Sequence, residues 1–567
     1  MKRSLSITLV ALLAATCAYS QPQDSQSVRN IAAFCKCWGF LKYYHPAVAD
    51  GKVLWDEQFV KTYDRIRSAR TRKECNDVLI SLYKSAESAR DVWADQPSVE
   101  EFDSSAVVSK PDLSWIFDTT LFTPEVTTLM RNVKEAFRPL ANRYVTAYRG
   151  AMNPDVSIDD KYFGPSEPLY PTEAIRILAL ARYWNIIQYY DPNRALIGRP
   201  WDSVLFDYIP RFSQAQDSIQ YLYTVLQLRG ELHDSHAFVR SPIDKYVFGD
   251  GYLPIRLMYL NSQTVIVGSF GSSMARFDSS LASLGLHRGD LLMKIGGVNV
   301  AELRERLRHY VGGSNEAAIE RDINNYLLRG KVGDSIRLTI DNGEKEFEVT
   351  AHYQTELRAS DVRTNLLSNE WSILQGNIGY VDMGQLERRN VRTMMKSLMS
   401  LPAIIFDVRN YPRGTMYDIM AYLSKRVPFA FFTRPVVSHP GYLVSTAKQM
   451  MVCGDDRGDK YKGKIIILAN ELTQSHAEFT IMSLQTRLDA ITIGSQTAGA
   501  DGNISEIRLP GNITTFFTGL GVFYSGGLPT QQIGIKINIP VVPTIAGIRE
   551  GRDEVLERAV RYALSGK

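Results

Sequence analysis

Apolar residues recur at three- and four-residue spacing from Ile31 to Leu41 and again from Ile175 to Ile187. Each run closes on an aromatic pair and a proline, Tyr43-Tyr44 before Pro46 and Tyr189-Tyr190 before Pro192. The spacing predicts helices with one buried face. An offset of 146 lays Trp38 on Trp184 and Trp55-Asp56 on Trp201-Asp202, so the segments are copies of one unit, each predicted as a helical hairpin. The copies diverge where the second helical pattern ends. By the same offset Ser235-His236 falls on Ala89-Arg90, so one copy alone carries a polar Ser-His pair. That pair either caps and leaves a helix or was given a chemical task. Between the copies, residues 96–124 are rich in Ser, Asp and Pro and predict a surface connection, followed by a helix over 125–149.

From Gly251 the period shortens. Strands are predicted over Tyr252 to Leu260, Thr264 to Phe270, Leu291 to Ile295, and Ser335 to Ile340 paired with Lys345 to Ala351 across Asn342-Gly343. Farther on, apolar runs (Ile378 to Met383, Ala403 to Val408, Lys464 to Ala469, Ile491 to Gly494) alternate with helical ones (Val391 to Leu401, Thr415 to Lys425, Ala477 to Arg487). Such alternation predicts a β/α sheet with crossover helices, whose chemistry gathers at the carboxyl ends of the strands.

Composition narrows the class. The chain has 567 residues, 45% hydrophobic and 22% charged, a globular composition long enough for several domains at about 150 residues each. Its net charge of +4 is too balanced for a protein that wraps nucleic acid. Lys2 and Arg3, the apolar run Leu5 to Ala15 and the small residues of Ala18-Tyr19-Ser20 predict a secretory leader cut after Ser20, and hence a periplasmic or extracellular protein. Lipid attachment at Cys17 is the alternative, which Thr16 before it fits poorly. No later segment has about 18 uninterrupted apolar residues, so no membrane span is expected. Cys35, Cys37, Cys75 and Cys453 are expected as buried free thiols. No zinc motif or glycine-rich phosphate loop is present, and no cofactor is implied.

Gly285-Leu286-His287-Arg288-Gly289-Asp290, followed by the apolar Leu291 to Ile295 and Gly296-Gly297, resembles the most recognisable stretch of PDZ domains. The resemblance implies strand-addition binding of an extended polypeptide, with its C-terminal carboxylate in a backbone nest. The alternative is a β module that only spaces its neighbours apart.

Two strand ends carry unusual polar sequences. Ser475 stands at the start of a helix, beside unpaired N–H groups that favour developing negative charge; an ordinary N-cap serine is the plain alternative. Asp407-Val408-Arg409-Asn410-Tyr411-Pro412-Arg413-Gly414 supplies a neighbouring loop. With Asn470-Glu471-Leu472-Thr473-Gln474-Ser475-His476-Ala477-Glu478 and Ile493-Gly494-Ser495-Gln496-Thr497-Ala498-Gly499 after it, the order resembles the C-terminal processing and tricorn-core serine peptidases, over roughly residues 230–567. The resemblance implies Ser475 as nucleophile and an oxyanion hole from the amides of His476 and of Gly414 or Arg413.

The processing branch of that family places a lysine about 25 residues after the serine. Position 500 is Ala500. The tricorn-like branch takes a histidine from a Ser-His pair upstream of the PDZ module, which implies His236 as general base. The group orienting His236 is open, with Ser235 and Gln531 as candidates; Gln531 stands where the family has a carboxylate. Glu478 reads either as a helix-start charge or as a catalytic group.

The expected architecture is multidomain α+β: a signal peptide (1–20), a first helical repeat (21–100), a connection with a helical segment (101–165), a second repeat ending in Ser-His (166–245), a PDZ-like module (250–352) and a β/α peptidase core resembling the ClpP/crotonase-type fold (360–567). The function expected is an exported serine endopeptidase acting on polypeptides. The rivals are an inactive peptide- or apolar-ligand carrier on the same fold and a small-molecule esterase.

Overall fold

The computed structural model describes residues 25–87, 102–136, 142–148, 151–157, 162–164, 166–269, 281–355 and 369–566. The residues expected to form a leader, 1–20, and Cys17 among them lie outside the described residues. No helix among the described residues is long and apolar enough to cross a membrane.

The repeat returns as two units packed on each other, each with three long helices where the sequence predicts a two-helix hairpin. The first contains α1 (Ser25–Tyr44), α2 (Trp55–Ser68) and α3 (Arg72–Glu87); the second contains α4 (Glu173–Tyr190), α5 (Trp201–Gln214) and α6 (Ser218–Gly230). In each copy two tryptophans exchange indole–carbonyl bonds: Trp38 with Trp55 at 3.2 and 3.0 Å, Trp184 with Trp201 at 2.8 and 3.0 Å. A buried indole N–H needs an acceptor, and this pairing supplies one without admitting water. The free thiols Cys35, Cys37, Cys75 and Cys453 are buried.

Two further sequence expectations in this half are corrected. The helix expected over 125–149 spans only Pro124–Glu135, and Thr146–Ala147 pairs instead with Pro154–Asp155. Pro139 explains the stop, since a proline clashes with the carbonyl four residues before it and disfavours helix at the residue it follows. The connection expected over 96–124 is also more than a connection: Val107–Ser109 pairs antiparallel with Leu443–Ser445 of the C-terminal half.

The middle of the chain is a six-stranded antiparallel sheet, five strands in one ladder and the short Val298–Asn299 paired on Leu291–Ile295. The ladder strands are β1 (Ile255–Leu260), β2 (Gln263–Ser269), β3 (Leu291–Ile295), β4 (Ser335–Asp341) and β5 (Glu346–His352), in the order β5-β4-β3-β2-β1. Strand β1 is therefore an edge, flanked by α7 (Glu316–Leu327), whose Asn324 donates to the Leu257 carbonyl at 3.4 Å.

The C-terminal sheet has the order β6-β7-β8-β9-β10-β11: β6 (Trp371–Leu374), β7 (Ile378–Asp382), β8 (Ala403–Asp407), β9 (Lys464–Ala469), β10 (Ile491–Gly494) and β11 (Ile539–Pro540). All its pairs are parallel except β6 with β7. β7 and β8 are buried at every position, as strands covered on both faces must be. The helices Val391–Leu398, Met416–Leu423 and α8 (His476–Leu484) supply crossovers, and α9 (Glu554–Ser565) packs on β9 and β10. Beside this sheet the hairpin Ile504–Leu509/Ile513–Thr518 pairs with Val239–Arg240, the residues just after His236.

Candidate active site

The apolar β9 runs into a tight turn. Leu472 N–H donates to Asn470 Oδ1 at 3.1 Å, Thr473 N–H to the Asn470 carbonyl at 2.9 Å, and the Thr473 hydroxyl to the Val408 carbonyl at 3.1 Å. Ser475 follows with φ 59° and ψ −126°, a conformation L-residues rarely adopt. Such strain costs on the order of 1–3 kcal/mol and persists where surrounding bonds over-determine it. Here Ser475 N–H donates to the Ala500 carbonyl at 2.9 Å and to Glu478 Oε2 at 3.3 Å, and its carbonyl accepts from Phe479 N–H at 3.0 Å. α8 begins at His476, so the His476 amide has no carbonyl one turn earlier in the helix and lies at the positive end of its dipole.

His236 is buried, and its ring is fixed by a relay absent from the sequence reading. His236 Nδ1 lies 2.9 Å from Thr518 Oγ1. The Thr518 hydroxyl donates its single hydrogen to Asp234 Oδ1 at 2.8 Å. Thr518 Oγ1 therefore accepts from Nδ1–H, and the tautomer left has an unprotonated Nε2, the form a base requires. Asp234 is held by three further donors: Thr518 N–H at 2.7 Å, His236 N–H at 3.0 Å and Gln531 Nε2 at 3.3 Å. Burial pushes the imidazole of His236 below the ordinary histidine value; Asp234 opposes that drop and Arg321 adds to it.

The two loops meet on the segment after β10. Ala498 N–H donates to the Thr473 carbonyl at 3.0 Å, the Ser235 hydroxyl donates to the Ala498 carbonyl at 3.4 Å, and Gln474 Nε2 reaches the Ser235 carbonyl at 3.5 Å. Ser235 and Ser314 exchange backbone–hydroxyl bonds at 2.9 Å in both directions.

β8 ends at Asp407, and the loop beyond it is anchored by Arg409, which forms paired bonds to Asp407 (2.9 and 2.7 Å) and Asp553 (2.9 and 2.7 Å). Tyr380 donates to Asp407 Oδ2 at 2.7 Å. Tyr411, on the same loop, sits with its ring 6.3 Å from that of His476, and Gly414 ends the loop at φ 72°, which only glycine adopts without strain.

The loop 497–500 thus bonds to the backbone of Ser475 and to the hydroxyl of Ser235, with Gln531 on Asp234 beside His236 and Tyr411 of the Gly414 loop near the ring of His476. Neither candidate orienter contacts the imidazole as expected. Ser235 spends its hydroxyl on Ser314 and Ala498, while Gln531 touches Asp234 and leaves its Oε1 buried without a partner among the described residues. Asp234 and Thr518 hold the ring instead. Asp234 stood one residue before the Ser-His pair and could have been suspected as an acceptor for the His236 amide. Thr518 carried no local signal.

A cavity of about 880 Å³ opens beside this site. β1 and α7 supply part of its lining, and Asn410, Tyr411, Asn470, Glu471 and Leu472 supply another part.

Residues 377–541 match the family model described as peptidase family S41. That match covers the C-terminal sheet from β7 to β11. Over 399 residues the chain is 23% identical to a tricorn protease homologue of Streptomyces coelicolor, covering 66% of this chain and 31% of the relative. The chain spans about a third of the length of that curated relative. In fold it is similar to mature CPAF complexed with lactacystin (TM-score 0.54, 14% identity, 70% of this chain and 99% of that one) and to mature CPAF alone (TM-score 0.52, 14% identity, 70% and 98%).

Proposed function

We propose that the protein is an exported serine endopeptidase that hydrolyses extended polypeptides, with Ser475 as nucleophile and His236 as general base. The observation that carries this reading is the loop 497–500, bonded both to the backbone of Ser475 and to the turn that bears His236. Nε2 of His236 takes the proton of the Ser475 hydroxyl as its oxygen attacks the scissile carbonyl. The amides of His476 and Gly414 stabilise the oxyanion. The imidazolium returns the proton to the leaving amine, and water, activated by the same nitrogen, hydrolyses the acyl-enzyme.

Thr518 and Asp234 keep Nδ1–H engaged throughout, so that the ring cannot present the wrong nitrogen. The glutamine at 531 argued for lost catalysis only if no other carboxylate supported His236; Asp234 supplies one through Thr518. We assign the middle module the role of a PDZ domain: its edge strand β1 and helix α7 border the cavity that Asn470, Glu471 and Leu472 also line, and a peptide strand added there would lead toward Ser475.

The test is labelling with a fluorophosphonate and turnover of an unstructured polypeptide. Wild-type protein should label and cleave. Ser475→Ala should do neither while keeping its fold, and His236→Ala should lose about 10²–10⁴-fold in turnover. Labelling that survives in Ser475→Ala removes that serine from the mechanism.

A further inference from the structure

Glu478 has no solvent exposure, lies three residues after the nucleophile, and accepts four hydrogen bonds. Its Oε1 takes the Thr497 hydroxyl at 2.6 Å and Gly499 N–H at 2.8 Å; its Oε2 takes Ala500 N–H at 3.0 Å and Ser475 N–H at 3.3 Å. A carboxylate that served only as a helix-start charge would need none of the partners outside its own helix. Three of these four come from one loop.

That loop is the place where the two halves of the site are joined. Its Ala500 carbonyl accepts from Ser475 N–H, its Ala498 carbonyl accepts from the Ser235 hydroxyl, and its Gly499 carbonyl accepts from Gln532 N–H at 2.7 Å. It therefore touches the strained nucleophile, the neighbour of the base, and the segment whose Gln531 bonds to Asp234. We infer that Glu478 is a positioning residue for the proposed peptidase reaction: it clamps the loop 497–500 to Ser475 and thereby sets the separation of Ser475 from His236. This rests on the assignment of Ser475 and His236 and adds a residue that touches neither the substrate nor the proton in flight.

The carboxylate form is what the geometry requires. All four neighbours are donors, and four lone-pair sites of an ionised carboxylate meet them. A glutamine in the same space offers one acceptor oxygen and an NH₂ group, so two of the four donors would face another donor. Burial pushes the carboxyl of Glu478 upward from its ordinary value, and the bonds from Thr497, Gly499, Ala500 and Ser475 act against that rise. The other ionisable groups in its field are Asp501, next to Ala500, Arg321 of α7 and Tyr524.

The experiment compares wild type, Ser475→Ala, Glu478→Gln and Thr497→Val, scoring fluorophosphonate labelling rate, kcat and KM on a fluorogenic peptide, and melting temperature. Glu478→Gln is expected to lower both the labelling rate and kcat by about 100-fold or more, with KM within about threefold. Thr497→Val, which removes one donor and leaves the carboxylate, is expected to lower them by about 3- to 10-fold. A Glu478→Gln protein that folds and labels at the wild-type rate overturns the inference while the nucleophile assignment stands. Wild type that fails to label overturns the assignment itself. If Glu478→Gln does not fold, Thr497→Val decides: a lower melting temperature with an unchanged labelling rate makes Glu478 a stabilising group only, and overturns the positioning role.

Discussion

His236 takes its tautomer from a hydroxyl 282 residues away, and that hydroxyl takes its own direction from Asp234, two residues before the histidine. The order of donors leaves little freedom: a carboxylate only accepts, so Thr518 must donate to it and accept from the ring. Removing Asp234 should therefore act on pH as well as rate. In the proposed mechanism His236 must be neutral; burial lowers its pKa and Asp234 holds it up, so the acid limb of kcat/KM should lie below the about 6.5 of an ordinary histidine. In Asp234→Asn that limb should move further toward acid, with kcat reduced by about 10- to 100-fold; Thr518→Val should show a similar loss in kcat. A pH–rate profile in which Asp234→Asn moves the limb toward alkaline pH would contradict the relay. Asp501 gives a second test at this scale. It is buried, its Oδ1 accepts only from Gly502 N–H at 2.7 Å, and its Oδ2 has no partner among the described residues. Burial and the neighbouring Glu478 hold its carboxyl well above the usual range, so the folded state binds a proton that the unfolded state releases above about pH 4. Stability from this group is present below that point and is lost as pH rises toward the folded value. Asp501→Asn should therefore raise stability at pH 8 by on the order of 1 kcal/mol, a gain that shrinks as the pH falls. Thermal melts at pH 5 and 8 measure it, and a gain that is larger at pH 5 refutes the sign.

The helices and parallel strands are the part of the molecule that the sequence announced most clearly. A 146-residue offset in Trp38 and Trp55 became the same pair of reciprocal indole–carbonyl bonds twice over, because a side chain that can satisfy itself locally leaves a local signature. The apolar run Ile465 to Ala469 of β9 was legible for the same reason. What stayed hidden depends on partners far along the chain. Val107–Ser109 is ordinary in composition and became a strand only because Leu443–Ser445 lay beside it. The packing of the two copies also has a feature that their patterns do not display: Gly39 of α1 meets Asn185 of α4 so closely that an added Cβ would stand 1.9 Å from the Asn185 Cγ. Asn185 cannot simply move aside, since its Nδ2 donates to the carbonyls of Cys35 at 3.0 Å and Ala181 at 2.8 Å. Alanine is ordinarily the better helix residue by about 1 kcal/mol. At position 39 overpacking should outweigh that gain, and Gly39→Ala should lose about 1–3 kcal/mol in denaturant unfolding. An unchanged or higher midpoint would mean that the two helices adjust their separation freely.

At the scale of the whole molecule the site is assembled from three places that are remote in sequence, and this is why Ser475 and His236 could be nominated from motifs while Thr518 could not. The motifs marked where backbone chemistry is unusual; which hydroxyl fills the space behind an imidazole is decided by how the hairpin ending at Thr518 lies against the chain leaving His236, and only the assembled register Thr514↔Arg240 and Thr515↔Val239 fixes that. The same assembly ties the β module to the site. Asn315 caps α7 through its Oδ1, 3.1 Å from Ala318 N–H, and its Nδ2 donates to the Thr497 carbonyl at 2.8 Å; Ser314 beside it is bonded to Ser235. The helix that borders the cavity is thus joined at its first turn to the loop bonded to Ser475 and to the turn that bears His236. A polypeptide seated between β1 and α7 would press on that helix, and its binding energy would reach the site through Ser314, Asn315 and Arg321, whose guanidinium donates to the Glu471 carbonyl at 2.9 Å. Asn315→Ala cuts one of those links and weakens the cap, at a cost of about 1 kcal/mol in stability. Peptide affinity, measured in a Ser475→Ala background, should change little, whereas kcat in the otherwise intact protein should fall by about tenfold. If kcat and affinity instead fall together, the helix serves the peptide alone and the site is positioned without it.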